Sequence, residues 1–436
     1  MNTFDRIVGY SAVKKELQQI SDTLKNREPY DKLGVSAPRG LLLYGVPGVG
    51  KSLMASAIIE ESGRKAYTCR KDQPNGDFVK EIKATFNKAA ENTPSIVYLD
   101  DMDKFANGDE RHPDAEEYVT VQSCIDEVKD KEVFVLATAN NIRCLPRSLC
   151  RAGRFDRMIE IRAPRGADAE KIIDHYLKSR RFVDDVDAKT IARIMDGRSC
   201  TELETVINEA GLYAGYERAE LITMEHFMEA CMRIIFHVLA SEAVDFDGGY
   251  YDSLSDSNKV FSQVVYHEAG HAVVSEVLCP ESVTLVSAHN RGDSNNGFMD
   301  YYNDNSTTPL YWIKSRIVTA LGGAAAIEQK FGIFDAGCDL DLDRAFDYTK
   351  DLVVNNCVCG LHLHKTEYEV SDSLCAAQEL AVSAEVEKYY RKAKEIISLN
   401  KEFFEKLAAA LAKKKLLSAI DIKQIKSECE IISVTL

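Results

Sequence analysis

The sequence predicts a multidomain α/β plus α protein: a nucleotide-binding module built on a parallel sheet, a small helical module, and a mainly helical metal-binding module. Three observations carry this expectation. A glycine-rich loop stands between an apolar strand and a helical run at 41–60. From Ala169 to about Leu239 the apolar residues recur at helical spacing and no strand pattern occurs. The run His267-Glu268-Ala269-Gly270-His271 lies inside an apolar helical segment. With 436 residues, the chain accommodates two or three domains at roughly 100–200 residues each.

Composition excludes some classes. The 54 Lys and Arg against 69 Asp and Glu leave a net charge of −15, whereas a binder of phosphate backbones needs a basic face. No nucleic-acid partner is therefore expected. No stretch of about 18 apolar residues occurs and the start lacks a charged-then-apolar signal, so no membrane segment is expected and the chain reads as cytoplasmic. Twelve cysteines without CxxC pairs fit reduced thiols better than a disulfide framework.

In chain order, Val13, Leu17, Ile20 and Leu24 mark a first helix, and a turn follows near Pro38-Arg39-Gly40. The strand Leu41–Tyr44 runs into Gly45-Val46-Pro47-Gly48-Val49-Gly50-Lys51-Ser52 and then into the helical segment beginning at Leu53. This is G-x-x-x-x-G-K-S in its required setting. The glycines let backbone N–H groups turn inward around phosphate, Lys51 is expected at the β/γ-phosphates and Ser52 at Mg²⁺. A buried strand at 96–99 ends in Asp100-Asp101, with Asp100 as the Mg²⁺-side acid and Asp101 where such ATPases often carry a water-polarising Glu. A third strand at 133–138 leads to Asn140, an amide placed to orient an attacking water. Arg151 and Arg154 suit a subunit edge, where an arginine can reach a neighbour's γ-phosphate.

The helical module (169–240) and a linker rich in Ser, Asp, Gly and Tyr (241–257) precede the last module. Read as a helix, the His-Glu-x-x-His run puts His267 and His271 on one face, able to grip one zinc ion, with Glu268 placed as a general base. A short β region is expected over 283–302, interrupted at 290–296, then a helix around 313–331 and helices over 376–425. Zinc needs a third protein ligand. Asp339, Asp341, Asp343 and Glu328 are all candidates, and spacing does not choose among them.

Together these residues resemble the FtsH family of ATP-dependent zinc metalloproteases, from about Phe4 to the C-terminus. The resemblance implies an AAA+ P-loop ATPase domain (1–168), an AAA+ helical lid (169–240) and, after the linker, a zincin-type metalloprotease domain (258–436). Phe4 to Gly9 looks like the family segment beside the adenine, which implicates Ile7, Val8 and Gly9. Gly197-Arg198-Ser199 through Ala210 looks like the lid signature, and Gly337 to Leu342 aligns with the segment that completes the zinc site. That alignment picks Asp341, with Asp339 as the fallback. The implied assembly is a homohexameric ring, with ATP and Mg²⁺ between subunits, one zinc per chain, and protein or peptide substrates.

Three departures stand out. The family's membrane-spanning N-terminal part is absent, Asp101 replaces a Glu, and the aromatic-hydrophobic-Gly pore loop after Asp77-Phe78-Val79 is missing. Either Phe78 serves as the substrate grip instead, or it belongs to the core. The leading reading is an ATP-dependent zinc endopeptidase acting on unfolded or weakly folded proteins, its substrate extended along an edge strand at 297–301. The second is an AAA+ remodelling ATPase or adaptor with a weak or vestigial peptidase site. A third is an ATP-independent peptidase with a regulatory nucleotide domain.

Overall fold

The computed structural model describes residues 3–72, 77–106, 115–151, 153–183, 186, 188–238, 256–289, 297–302, 309–334, 336–364 and 371–436. Packing divides them into two compact units, residues 1–212 with 219–221, and residues 213–218 with 222–436.

In the first unit, helices α1 (Ser11–Lys25) and α2 (Glu28–Lys32) precede strand β1 (Gly40–Tyr44). Then follow α3 (Lys51–Ser62), β2 (Lys65–Cys69), α4 (Phe78–Glu91), β3 (Ser95–Leu99), α5 (Glu116–Glu127), β4 (Val133–Ala139) and β5 (Arg157–Glu160). The five strands form one parallel sheet in the order β2-β3-β4-β1-β5. The central strands β3 and β4 are buried along their whole length, which is why they read as unbroken apolar runs. The edge strands β2 and β5 mix exposed and buried positions, so no apolar run announces them. Tyr44 pairs with Ala139 and Leu99 with Ala137, so the sheet aligns the ends of β1, β3 and β4, where the phosphate loop, Asp100 and Asn140 begin. Helices α6 (Gly166–Leu177), α7 (Ala188–Ile194) and α8 (Cys200–Tyr216) follow, with no strand between them among the described residues.

The second unit contains α9 (Met224–Ile234) and is organised around α10 (Asp256–Leu278), which carries the His-Glu-x-x-His run. Buried Val265, Ala269, Ala272, Val273, Val274 and Val277 cover its circumference, as a central helix requires. Strands β6 (Val283–Ser287) and β7 (Phe298–Tyr301) pair antiparallel, and the loop expected at 290–296 lies outside the described residues. Next come α11 (Leu310–Ala320), α12 (Gly322–Phe331), α13 (Asp339–Lys350), α14 (Asp372–Leu399), α15 (Lys401–Lys414), β8 (Leu416–Ser418) and α16 (Ala419–Ser427).

Two expectations need correction. The single helix expected at 313–331 is two, α11 and α12, divided at Leu321. The C-terminal region is not purely helical, because Lys415 turns to φ 61° and lets Leu416–Ser418 pair with β6. The resulting sheet has the order β7-β6-β8, which leaves β7 at an edge. The expected linker at 241–257 lies outside the described residues except where α10 begins. Among the described residues no helix is long and apolar enough to cross a membrane.

Candidate active sites

The nucleotide loop folds around its own lysine. Gly45, Gly48 and Gly50 adopt positive φ, which turns the loop between β1 and α3. Lys51, only 7% exposed, donates to the carbonyls of Gly45 at 2.7 Å and Val46 at 2.9 Å, and to Asn140 Oδ1 at 2.9 Å. Burial lowers its pKa, while the carboxylates of Asp101, Asp103 and Asp100 oppose that shift. Asp100 Oδ1 accepts from Tyr98 at 2.7 Å and Thr138 at 2.8 Å, and Arg70 approaches its other oxygen at 3.6 Å. Asp101, at φ 52°, pairs with Lys104 at 2.7 Å and accepts from the Asn140 amide at 3.3 Å. The Asn140 backbone N–H donates to Asp103 Oδ1 at 2.9 Å.

Of these, Lys51, Asp101, Lys104 and Asn140 border a cavity of about 660 Å³ that also takes in Ile7, Val8, Pro47, Gly48, Val49, Gly50, Ser52 and Leu53. Sequence reasoning missed Tyr10, His175, Tyr176, Cys200 and Thr201, which line it as well. None carries a phosphate-loop signal; Tyr10 comes from the turn before α1 and the other four from α6 and α8, where Thr201 N–H donates to Gly48 O at 3.2 Å. Gly9, with φ 69°, turns the preceding segment, and Phe4 and Ile7 bury beneath it.

The two arginines differ. Arg151 is exposed. Arg154, 8% exposed, is clamped by Asp126 at 2.8 and 3.3 Å, Gln122 at 2.8 Å and Ser148 O at 2.7 Å. The outward reach expected of Arg154 is not the observed placement, because four of its N–H···O contacts are already made inside its own subunit. Phe78 also resolves. It is 5% exposed, packs edge-on to Phe105 at 4.8 Å, and has Lys71 5.7 Å above its ring, so it belongs to the core.

In the second unit, α10 and α13 bring His267, His271 and Asp341 together. His267 Nε2 and His271 Nε2 lie 2.9 Å apart, and Asp341 Oδ2 lies 3.1 and 3.2 Å from them. Among the described residues these three form the only group of metal-ligating side chains so clustered. A tetrahedral zinc with bonds of about 2.0–2.1 Å separates adjacent ligands by about 3.3 Å, so this triangle fits zinc with little adjustment. Thr319 O accepts from His271 Nδ1 at 2.7 Å, which leaves the Nε2 lone pair facing inward. Arg344 holds the other Asp341 oxygen at 3.4 Å. A Cβ at Gly323 on α12 would fall 2.4–2.7 Å from three atoms of the His267 ring, so only glycine leaves that imidazole its place.

Electrostatics agree with a centre built for a cation. Burial opposes charge on His271, yet the Asp341 and Glu268 carboxylates push its pKa up to about 9. Burial works against the Asp341 anion too, and the two histidines nevertheless hold its carboxyl far below the usual range. Glu268, 5% exposed, has a raised pKa because burial disfavours its anion, a setting suited to proton transfer. The four residues share a cleft of about 530 Å³ with β7 along it. The other third-ligand candidates lie elsewhere. Asp339 accepts from Leu340 N–H at the exposed start of α13, Asp343 is exposed, and Glu328 binds Tyr390 and Lys394.

A P-loop module at the ends of parallel strands, joined in one chain to a His-Glu-x-x-His centre with a helical carboxylate, defines a nucleotide-binding ATPase coupled to a metallopeptidase. Residues 41–163 match the ATPase family associated with various cellular activities (AAA), and residues 254–425 match peptidase family M41. The chain is 28% identical to the ATP-dependent zinc metalloprotease FtsH of Syntrophotalea carbinolica, covering 98% of this chain and 69% of that one. It is 29% identical to the ATP-dependent zinc metalloprotease FtsH 2 of Petrotoga mobilis, covering 97% and 70%. With the FtsH of Mycoplasma pneumoniae it shares 29% identity over 94% of this chain and 60% of that protein. These matches together support an FtsH-family AAA protease.

Proposed function

We propose that this chain is an ATP-dependent zinc endopeptidase that degrades unfolded or weakly folded proteins, with ATP hydrolysis driving substrate delivery. The preassembled His267–His271–Asp341 triangle beside buried Glu268 is the observation that carries the reading. When bound there, zinc supplies a Lewis acid that lowers the pKa of water to around 7. Glu268 accepts the proton lost on attack at the peptide carbonyl and returns it to the leaving amine. Thr319 O and Arg344 keep His271 and Asp341 oriented. The substrate lies extended along the open edge of β7, which fixes a peptide through its main chain without reading its sequence. A Cβ at Gly297, just before β7, would fall 2.6 Å from Glu268 Cγ, so the edge passes directly beside the base.

In the ATP module, Lys51 exchanges its loop carbonyls for the β/γ-phosphates, Ser52 and Asp100 hold Mg²⁺, and Asn140 with Asp101 positions the attacking water. Residues 1–168 and 169–240 act as ATPase and lid, 241–257 as linker, and 258–436 as peptidase, within a homohexameric ring. We assign the finger role across subunits first to exposed Arg151, and a bracing role to Arg154. The twelve cysteines, all free thiols, support a reducing, cytoplasmic setting. A vestigial peptidase site is disfavoured by the intact metal triangle and buried base.

The test is degradation of an unfolded, casein-like protein and of a stably folded domain, each with and without ATP. The expected pattern is cleavage of the first, modestly accelerated by ATP, and sparing of the second. With Phe78 in the core, the aromatic grip on which unfolding of a domain stable by about 5–15 kcal/mol would depend is lacking at that position. Rapid ATP-driven destruction of the folded substrate would overturn this expectation. No cleavage of either protein by the zinc-loaded chain would overturn the peptidase reading.

A further inference from the structure

Arg316 on α11 is 3% exposed, yet its charge has no carboxylate partner among the described residues. Nη2 donates to Ser275 Oγ at 3.1 Å, while Nε and Nη1 are buried without any acceptor. Two donors of a charged guanidinium are thus buried without a protein acceptor, an arrangement that costs stability unless another acceptor completes it. Its face is covered by the Tyr301 ring, 3.8 Å from Cζ, and the Trp312 ring lies at 5.4 Å. Cation–π contact occupies the flat face of the fork and leaves its in-plane N–H groups for an acceptor. Arg316 lines the same cleft as His267, Glu268, His271 and Asp341. Of the carboxylates lining the cleft, Asp341 is engaged by the two histidines and Asp300 by Thr284 at 2.6 Å, while Glu268 stands beside the histidines as the base.

Resting on the peptidase reading, we propose that Arg316 forms an acid-recognising subsite of the cleft that takes a carboxylate of the peptide substrate. The position follows from helix geometry. Ser275 lies one turn beyond His271, and Arg316 lies one turn before Thr319, the residue that orients His271. One turn rises about 5.4 Å and an extended peptide about 3.3 Å per residue, so the subsite serves a residue one or two positions from the cleaved bond. Tyr301 belongs to β7, the strand along which the substrate extends, and is 36% exposed. The carboxylate comes from a Glu or Asp side chain or from a chain terminus.

The test uses the full zinc-loaded chain and internally quenched, C-terminally amidated peptides that place Glu, Gln or Lys within two residues of the cleaved bond. A further Gln peptide ends in a free carboxylate at the same distance. Glu at its preferred position should lower KM by about tenfold or more relative to Gln with little change in kcat, and Lys should be worst. Preference for the free terminus over internal Glu would identify the chain end as the source. Arg316→Met should bring the Glu/Gln ratio to about one, and Arg316→Lys should retain part of it. Trp312 is the single tryptophan of the chain, so its emission offers a readout independent of cleavage. Titrating Glu268→Gln with the Glu peptide should change that emission, and adding Arg316→Met should abolish the change. Equal KM for Glu and Gln peptides in the wild type, or a preference that survives Arg316→Met, would overturn the subsite. A Trp312 response without cleavage of any peptide by the wild type would retain the subsite and sink the peptidase reading instead.

Discussion

At the nucleotide site the reactive groups come from strand ends and a loop, and the lysine is folded back onto its own backbone carbonyls. At the metal site they come from two helices, and the ligand atoms already stand within 3.2 Å of one another. The first arrangement must exchange partners when its ligand arrives. The second needs almost no movement. Binding at the nucleotide site is therefore poised to change local structure, whereas the metal site is positioned to hold one geometry.

The largest expected effect would sharpen the contrast at the ATP site. Arg151→Ala should cut ATP hydrolysis by about 10³–10⁵ while sparing nucleotide binding, the usual weight of an arginine finger. Mixing Arg151→Ala with Lys51→Ala chains should restore part of the hydrolysis, measured as phosphate release, at sites that pair an intact Lys51 with an intact neighbouring Arg151. Absence of recovery despite demonstrated mixing would remove the role across subunits.

At the metal site, Glu268→Gln should lower peptide cleavage by about 10²–10⁴ with zinc content and ATPase rate unchanged. A zinc-selective chelator, with Mg²⁺ kept in excess, should likewise abolish cleavage and leave ATP hydrolysis in place, and Asp341→Asn should reduce zinc occupancy where Asp339→Asn does not. Loss of ATPase activity on chelation would break the separation between the two centres.

Phe78→Ala comes next, at about 3–5 kcal/mol of stability as for a buried aromatic, read by chemical denaturation of the ATPase unit. If stability were unchanged while substrate degradation collapsed, Phe78 would be a grip after all. Smallest is Arg154→Ala, which leaves Gln122 and Ser148 O without their donor and should cost about 1–3 kcal/mol, with a lesser effect on hydrolysis than Arg151→Ala.

Legibility in the sequence followed the same divide. The phosphate loop, the Asp100 strand and the His-Glu-x-x-His helix were readable because each needs fixed residue types at fixed local spacing. Asp341 was one of four acids by spacing, and alignment with the family was needed to prefer it. The structure supports that preference, since of the four acids only Asp341 places a carboxylate oxygen between the two imidazoles. Strand β8 was hidden because three residues after a helix carry no periodicity, and their pairing with β6 spans more than a hundred residues. Arg154 and Phe78 were ambiguous for another reason: a local motif does not say whether a side chain turns inward, and Asp126 and Phe105 decide that from elsewhere in the chain.

The close crossing of α10 and α12 turns the distance between two helices into a setting for metal chemistry. Gly270 and Gly322 nearly touch there, and Gly323 stands against the His267 ring. A methyl group at 323 would displace a ligand before it disturbed much of the surrounding core. The molecule could then lose its metal while keeping its shape, and so assemble normally while cutting nothing. For anyone engineering a substrate trap, that spacing is a quieter control than the ligands themselves.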